Sequence, residues 1–267
     1  MRYGVFLPPF DELADAEWLA DLAAYAEAAG WDGVFLWDHI AYRSPVQAVA
    51  DPWIALAAMA ARTERIRIGP MVTPLPRRRP VVMARQTATL DRLSNGRLVL
   101  GVGIGGDNSR EFSGTGEVVD DRIRGAMLDE SLDVLTAAWS GEPVEHHGRH
   151  YAVDGLRFLP IPAQQPRPPV WVAGRYGNPT PLRRAARWDG VFPIDLTGPA
   201  DLAAVVETVR RHRGGALDGY DVVASGPPGT DPVPWREHGA TWWLTQFGVC
   251  DTDAGQVAAV VRAGPPR

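Results

Sequence analysis

Short β-rich apolar runs alternate along the chain with segments whose apolar residues recur every three or four positions. The runs Tyr3–Leu7, Gly33–Trp37, Ile66–Val72, Arg97–Val102, Val170–Ala173, Gly190–Pro193, Tyr220–Ser225 and Thr241–Phe247 predict eight strands. Helices are predicted between them. Asp15 reads as an N-cap, Trp18, Leu19, Leu22 and Ala26 as a buried face, and Gly30 as a stop. Asp51-Pro52 is a cap followed by proline at the first helical position. A third helix starts near Pro80 and ends at Ser94-Asn95-Gly96. A longer one spans Asp121 to Trp139, with Ile123, Met127, Leu132, Leu135 and Trp139 facing inward. The last three start at Thr180-Pro181, run through Leu202, Val205, Val206 and Val209, and carry Val257, Val260 and Val261.

Two stretches break the rhythm. Within 142–169, Val144-Glu145-His146 and His150–Val153 flank His147-Gly148-Arg149 as a hairpin, and a proline-rich connector follows. The proline-rich segment 226–238 is a poor helix former. Eight strands in βα alternation over 267 residues predict a (β/α)8 TIM barrel. It is expected to form one domain over 1–267, with a short hairpin insertion after the fourth helix. A doubly wound open sheet is the structural rival. In a barrel, chemistry sits just past the C-terminal ends of the strands.

Composition narrows the classes. The chain is 45% apolar and 22% charged with a net charge of -5, which supports a large core and disfavours nucleic acid as a partner. No run matches a membrane span, and only Met1 and Arg2 precede the first predicted strand, so neither an anchor nor a signal peptide is expected. All 27 basic residues are arginine. Without lysine, Schiff-base chemistry, a pyridoxal phosphate anchor and a P-loop lysine are excluded. The single cysteine, Cys250, excludes a disulfide framework and a multi-cysteine zinc site, and points to a cytoplasmic home.

The strand ends carry the candidate chemistry. His39, after the second strand, is placed to move a proton or to bind a backbone carbonyl structurally. After the third strand, three prolines precede Arg77-Arg78-Arg79, which reads either as a grip on an anion or as a solvated patch. The Gly101–Asn108 loop lets a ligand approach the backbone or simply makes a tight turn. Gly174–Thr180, with Arg175 ahead of a helix N-terminus, reads as a phosphate site. His146, His147 and His150 fall on the hairpin without a completing carboxylate pattern, so no metal site is expected. Cys250 lacks a neighbouring histidine, which argues against a nucleophile.

The stretches Gly4–Pro9, Phe35–His39, Ile68–Pro80, Leu93–Gly103 and Pro169–Gly174, in this order, resemble the bacterial luciferase-like flavin or deazaflavin oxidoreductases. The resemblance runs from residue 1 to about 195 and is most specific between the third and fourth strands. It implies a TIM barrel with reduced FMN or F420 at the C-terminal mouth. It assigns His39 to the strand-two histidine beside the cofactor ring. Pro70–Thr73, with Met71 and Thr73 as cofactor-binding residues, matches the bulged third strand, which often holds a non-proline cis peptide. Gly103, Gly105 and Gly106 match the loop beside the cofactor tail, and Gly174, Arg175, Tyr176 and Thr180 the phosphate loop. Where some F420 dehydrogenases carry glutamate, Gly106 stands here, with Asp107 beside it.

The expected activity is hydride transfer or monooxygenation of a small organic substrate. F420 is favoured slightly, because Arg77–Arg79 lie where an oligoglutamate tail could run. The resemblance also implies a separate reductase supplying the reduced cofactor, and a homodimer. The alternatives are a non-catalytic flavin-binding barrel and a metal-dependent barrel hydrolase.

Overall fold

A computed structural model describes residues 1–249 and 253–266. Cys250 lies outside the described residues. The elements follow in the order β1 (Arg2–Leu7), α1 (Ala16–Ala29), β2 (Gly33–Leu36), α2 (Pro52–Arg62), β3 (Arg67–Pro70), β4 (Thr73–Pro74), α3 (Pro80–Leu93), β5 (Leu100–Gly103) and α4 (Asp121–Trp139). The hairpin β6 (Pro143–His147) and β7 (Ala152–Arg157) comes next. Then come β8 (Val170–Arg175), α5 (Pro179–Ala185), β9 (Gly190–Ile194), α6 (Pro199–His212), β10 (Asp221–Gly226), α7 (Val233–Glu237), β11 (Trp242–Gln246) and α8 (Ala254–Ala263).

The helix signals act through their expected atoms. Asp15 Oδ1 accepts from the N–H groups of Glu17 and Trp18 at 2.8 and 3.0 Å, and Gly30 ends α1 at φ 90°. Asp51 does the same for Trp53 and Ile54 ahead of Pro52. Such a cap is worth about 1 kcal/mol.

Nine parallel strands are hydrogen-bonded in the order β3-β2-β1-β11-β10-β9-β8-β5-β4. β3 and β4 are halves of one stave, interrupted at Met71-Val72, whose peptide bond is cis. The sheet returns on itself where Ile68 bridges Leu98 in parallel and Val99 N–H donates to Ile68 O at 2.9 Å. The result is a nearly closed (β/α)8 barrel, not an open layered sheet. Closure requires glycine at 69, since a Cβ there would sit 1.9 Å from Val99 O.

Phe6, Phe35, Met71, Val99, Trp171, Phe192, Val223, Trp242 and Leu244 fill the barrel. Trp171 and Trp242 rings cross at 5.2 Å, and Phe35 touches both. Trp139, Trp171, Trp242 and Trp243 are fully buried, so these four serve the core. Each such side chain contributes about 1.5–3 kcal/mol of burial. Between staves and helices a second layer gathers, including Leu19, Leu22, Leu132, Leu135, Leu202 and Val205. Arg97 ties the closure region together, donating to the carbonyls of Ala60, Thr63, Ile66 and Ser94 and to Thr63 Oγ1.

One helix face needs correction. Leu132, Leu135 and Trp139 of α4 are buried as expected, but Ile123 is exposed and Met127 only half-buried. In the first turn Arg124 takes the inner place, stacked 4.3 Å over the Phe112 ring and ion-paired with Asp121. Periodicity reads hydrophobic positions and misses a guanidinium laid flat on a ring. The hairpin forms as expected and is held to α4 by Glu130. That carboxylate lies 3.1 Å from His146 Nε2 and accepts from the N–H groups of His150 and Tyr151.

Candidate functional site

Because all eight staves run parallel, the residues following β2 and β8 emerge at one end of the barrel. His39 and the Gly174–Thr180 loop therefore belong to the same mouth. Its floor is apolar and partly exposed: Trp37, Val72, Ala173 and Ile194 cap the interior cluster. A Cβ on Gly103 would lie 3.0 Å from Val72 and 3.6 Å from Ala173, so the small residues at 103 and 173 limit how far this floor is filled. Among the described residues Trp37 Nε1 is buried without a hydrogen-bond partner. Phe10 and Tyr42 pack edge-on to His39, with centroids at 5.8 and 4.9 Å.

Beneath His39 lies a buried charged network. Asp38 accepts from Thr73 Oγ1 at 2.7 Å, Trp53 Nε1 at 3.1 Å, Arg77 Nη2 at 3.1 Å and Arg78 Nη2 at 2.7 Å. Glu111, from the loop between β5 and α4, accepts at Oε1 from Arg77 Nη1 at 2.6 Å and from Ile40 N–H at 2.7 Å. Its Oε2 stands 2.6 Å from His39 Nδ1. The side chains of Asp38, Glu111 and Arg77 are 0%, 2% and 5% exposed, so these charges are compensated by each other rather than by water. Burial pushes the Glu111 carboxyl up. The hydrogen bond and charge of His39, the Ile40 N–H and Arg77 together outweigh it and leave the group below the ordinary carboxylate range.

The other anticipated residues divide by partner. Met71 is buried in the barrel interior, so its side chain faces the core. Thr73 is buried, and its hydroxyl is engaged by Asp38. Gly105 adopts φ 76°, and a Cβ there would lie 2.8 Å from Phe112 and Pro74, so only glycine fits. Gly106 is exposed with open space around it. A Cβ on Gly174 would meet Leu182 and Pro181 of α5 at 3.2 Å. Arg175 is ion-paired with Asp195. The neighbouring Asp201 carboxylate raises the pKa of the Tyr176 hydroxyl. Thr180 N–H donates to Asn178 Oδ1, and Pro179 and Pro181 have no N–H to offer.

The arginine triplet is neither a free grip nor a solvated patch. Arg77 and Arg78 are committed to Asp38 and Glu111, and only Arg79 is exposed. The residues that sequence reasoning missed are the carboxylates that claim them. Glu111 sits in a loop without periodicity, and only charge complementarity with the triplet would have pointed to it.

Away from the mouth, a recess of about 410 Å³ opens at the N-terminal ends of the staves, among Arg2, Arg67, Gln164, Arg167, Asp189 and Asp221. Both its carboxylates are already paired, with Arg2 and Arg167. Conserved chemistry in barrels sits at the opposite face, which leaves the mouth as the candidate. On the hairpin, Glu145, His147 and Asp154 form an exposed group with ligand atoms within 4.8 Å of one another.

The partly exposed apolar floor has the chemistry to take a planar ring, whereas the Trp37 indole N–H beneath it is itself buried.

The profile of the luciferase-like monooxygenase family matches residues 1–233. Among solved structures, the chain is similar to a coenzyme F420-dependent tetrahydromethanopterin reductase from Methanopyrus kandleri, at 18% identity and a TM-score of 0.79 over 98% of each chain. It is similar to an F420-dependent secondary alcohol dehydrogenase bound to an F420–acetone adduct, at 19% identity and a TM-score of 0.80, covering 98% and 97%. It is also similar to the FMN-bound oxygenating constituent of 3,6-diketocamphane monooxygenase, a type II Baeyer–Villiger enzyme from Pseudomonas putida. There the identity is 21% and the TM-score 0.68, over 84% of this chain and 67% of that one. At these identities the likeness is one of fold.

Proposed function

Since the chain belongs to the luciferase-like monooxygenase family, we propose that it is an oxidoreductase taking reduced F420 or FMN at the barrel mouth and acting on a small organic substrate. The observation that carries this reading is the convergence of His39 with a partly exposed apolar floor at the C-terminal ends of the staves. When bound, the cofactor supplies the hydride or the oxygen activation. The protein binds, orients and shields. Trp37, Val72, Ala173 and Ile194 would hold the ring when it is bound and would keep water from its face. Gly106, open to solvent, leaves the backbone approachable for the cofactor tail. His39 takes or returns the proton at the substrate oxygen, within a ring cluster that holds its plane.

The case for F420 from the arginine triplet lapses, because Arg77 and Arg78 are bound to buried carboxylates. Both cofactors therefore enter the test. Reduced F420 and FMN, the latter delivered by a separate reductase, are mixed with the protein and a panel of alcohols, ketones and aldehydes. Substrate-dependent oxidation that falls about 10²–10⁴-fold in His39→Ala is the expected result. Tight binding of a cofactor with no turnover on any substrate would favour a non-catalytic binder instead.

A further inference from the structure

Glu111 stands in no strand or helix, yet it is one of the most buried charged groups among the described residues and touches Nδ1 of His39. We propose that Glu111 is a positioning residue that fixes the tautomer of His39, keeping the proton on Nδ1 and presenting bare Nε2 to the mouth as a proton acceptor. The inference rests on the reading of the mouth given above and deepens it, since it states which form of His39 meets the substrate.

The argument is one of donors and acceptors. An ionised carboxylate only accepts, so the 2.6 Å contact requires Nδ1 to carry the hydrogen. In a neutral imidazole the other nitrogen is then an acceptor. Glu111 stays ionised because Arg77 and the Ile40 N–H bind its other oxygen. Those bonds also stop the carboxylate from turning away. The loop that carries it is itself fixed: Asp107 Oδ1 accepts from the N–H groups of Phe112 and Ser113, and Thr115 Oγ1 donates to Glu111 O. The imidazole packs edge-on against the Phe10 and Tyr42 rings, which also touch each other, with its side chain 27% exposed and no partner at Nε2 among the described residues.

The same geometry makes Glu111→Gln a tautomer switch. Arg77 and Ile40 present two donors to the position of Oε1, so the glutamine oxygen must occupy it. The amide nitrogen then takes the place of Oε2 and points its hydrogens at His39 Nδ1. A donor opposite Nδ1 forces that nitrogen to accept, and the proton moves to Nε2. The mouth then receives a donor where the wild type offers an acceptor, in a side chain of unchanged size.

The test reads the tautomer directly, in the full chain with no cofactor. Long-range ¹⁵N–¹H spectra of histidine-labelled protein are recorded at a pH where the imidazole is neutral, with His39→Gln identifying the His39 signals. Wild type is expected to show the Nδ1–H form, Glu111→Asp to retain it, and Glu111→Gln to show the Nε2–H form. An Nε2–H wild type, or a Glu111→Gln spectrum unchanged from wild type, overturns the proposal. If Glu111→Gln does not fold, the wild-type and Glu111→Asp spectra still decide. With a loaded enzyme, Glu111→Gln should lower kcat about 10²–10⁴-fold and leave KM within a few-fold. Because the spectra need no turnover, failure of the tautomer claim and failure of the oxidoreductase reading are separately visible.

Discussion

His39 Nδ1 and Glu111 Oε2 stand 2.6 Å apart although 72 residues separate them in the chain. The pair joins the loop after β2 to the loop after β5, with further bonds running the same way. Ile40 N–H donates to Glu111, and Arg43 N–H donates to Ser109 Oγ. One rim of the mouth is thus a cross-braced pair of loops, and its bracing charge is buried. A side chain that must hand over a proton gains from such rigidity, because the reacting atoms are held in place before substrate arrives.

Arg77 is the keystone of that bracing. Arg77→Met would leave Asp38 with Arg78 as its one cation and Glu111 with no arginine partner. Loss of one partner from a buried ion pair costs about 3–5 kcal/mol. Urea unfolding should show a loss of that order for Arg77→Met, while exposed Arg79→Ala should stay within about 0.5 kcal/mol of wild type. Equal losses for the two variants would mean that the triplet acts as a solvated patch after all.

Barrel closure depends on the absence of a side chain at residue 69. Gly69→Ala places a methyl 1.9 Å from Val99 O, against backbone that cannot rotate aside. Overpacking of a well-filled interior costs about 1–3 kcal/mol, and a clash with backbone lies at the upper end or above. Calorimetry should show a clear drop in Tm for Gly69→Ala. Gly106→Ala, where nothing lies within 4 Å, should melt close to wild type.

Acid should destabilise the fold through identifiable carboxylates. Glu27 is raised by burial, but the N–H groups of Arg65, Ile66 and Glu64 and the charge of Arg65 bring it below its ordinary value. Glu130 is likewise raised by burial and lowered more by Tyr151, His146 and His150. A carboxylate whose folded pKa is depressed contributes stability that is complete above its unfolded pKa, about 4.3, and is lost as pH falls through the folded value. Urea midpoints should therefore decline below about pH 4.3 in wild type. In Glu27→Gln the plateau should be lower and the decline shallower, and an identical slope would remove Glu27 from the explanation.

The sequence made the staves legible because each is a short apolar run between turn residues, and Gly30, Asp15 and Asp51 mark their helices by local chemistry. His39 stood out only as a candidate, because a histidine at a strand end can either move a proton or bind a backbone carbonyl. The bracing was not legible. Arg77 and Arg78 find Asp38 and Glu111 at separations of 34 to 40 residues, and pairing of charges across such distances leaves no period to read. The 174–180 loop, read from sequence as a phosphate site, shows a related limit. Its glycine, arginine and helix start were visible, whereas the pairing of Arg175 with Asp195 and the approach of Asp201 to Tyr176 depend on the loop after β9 and the first turn of α6.

The mouth as a cofactor site is tested most directly by blocking its floor. Ala173→Trp puts a large ring beside Val72 and Gly103, in the space assigned to the cofactor. F420 and FMN are titrated separately into wild type and Ala173→Trp, with binding followed by fluorescence and folding by melting temperature. Wild type should bind one of the two at one equivalent per chain, and Ala173→Trp should fold yet bind neither. Retained affinity in Ala173→Trp, or a wild type that takes up neither cofactor, would contradict the assignment.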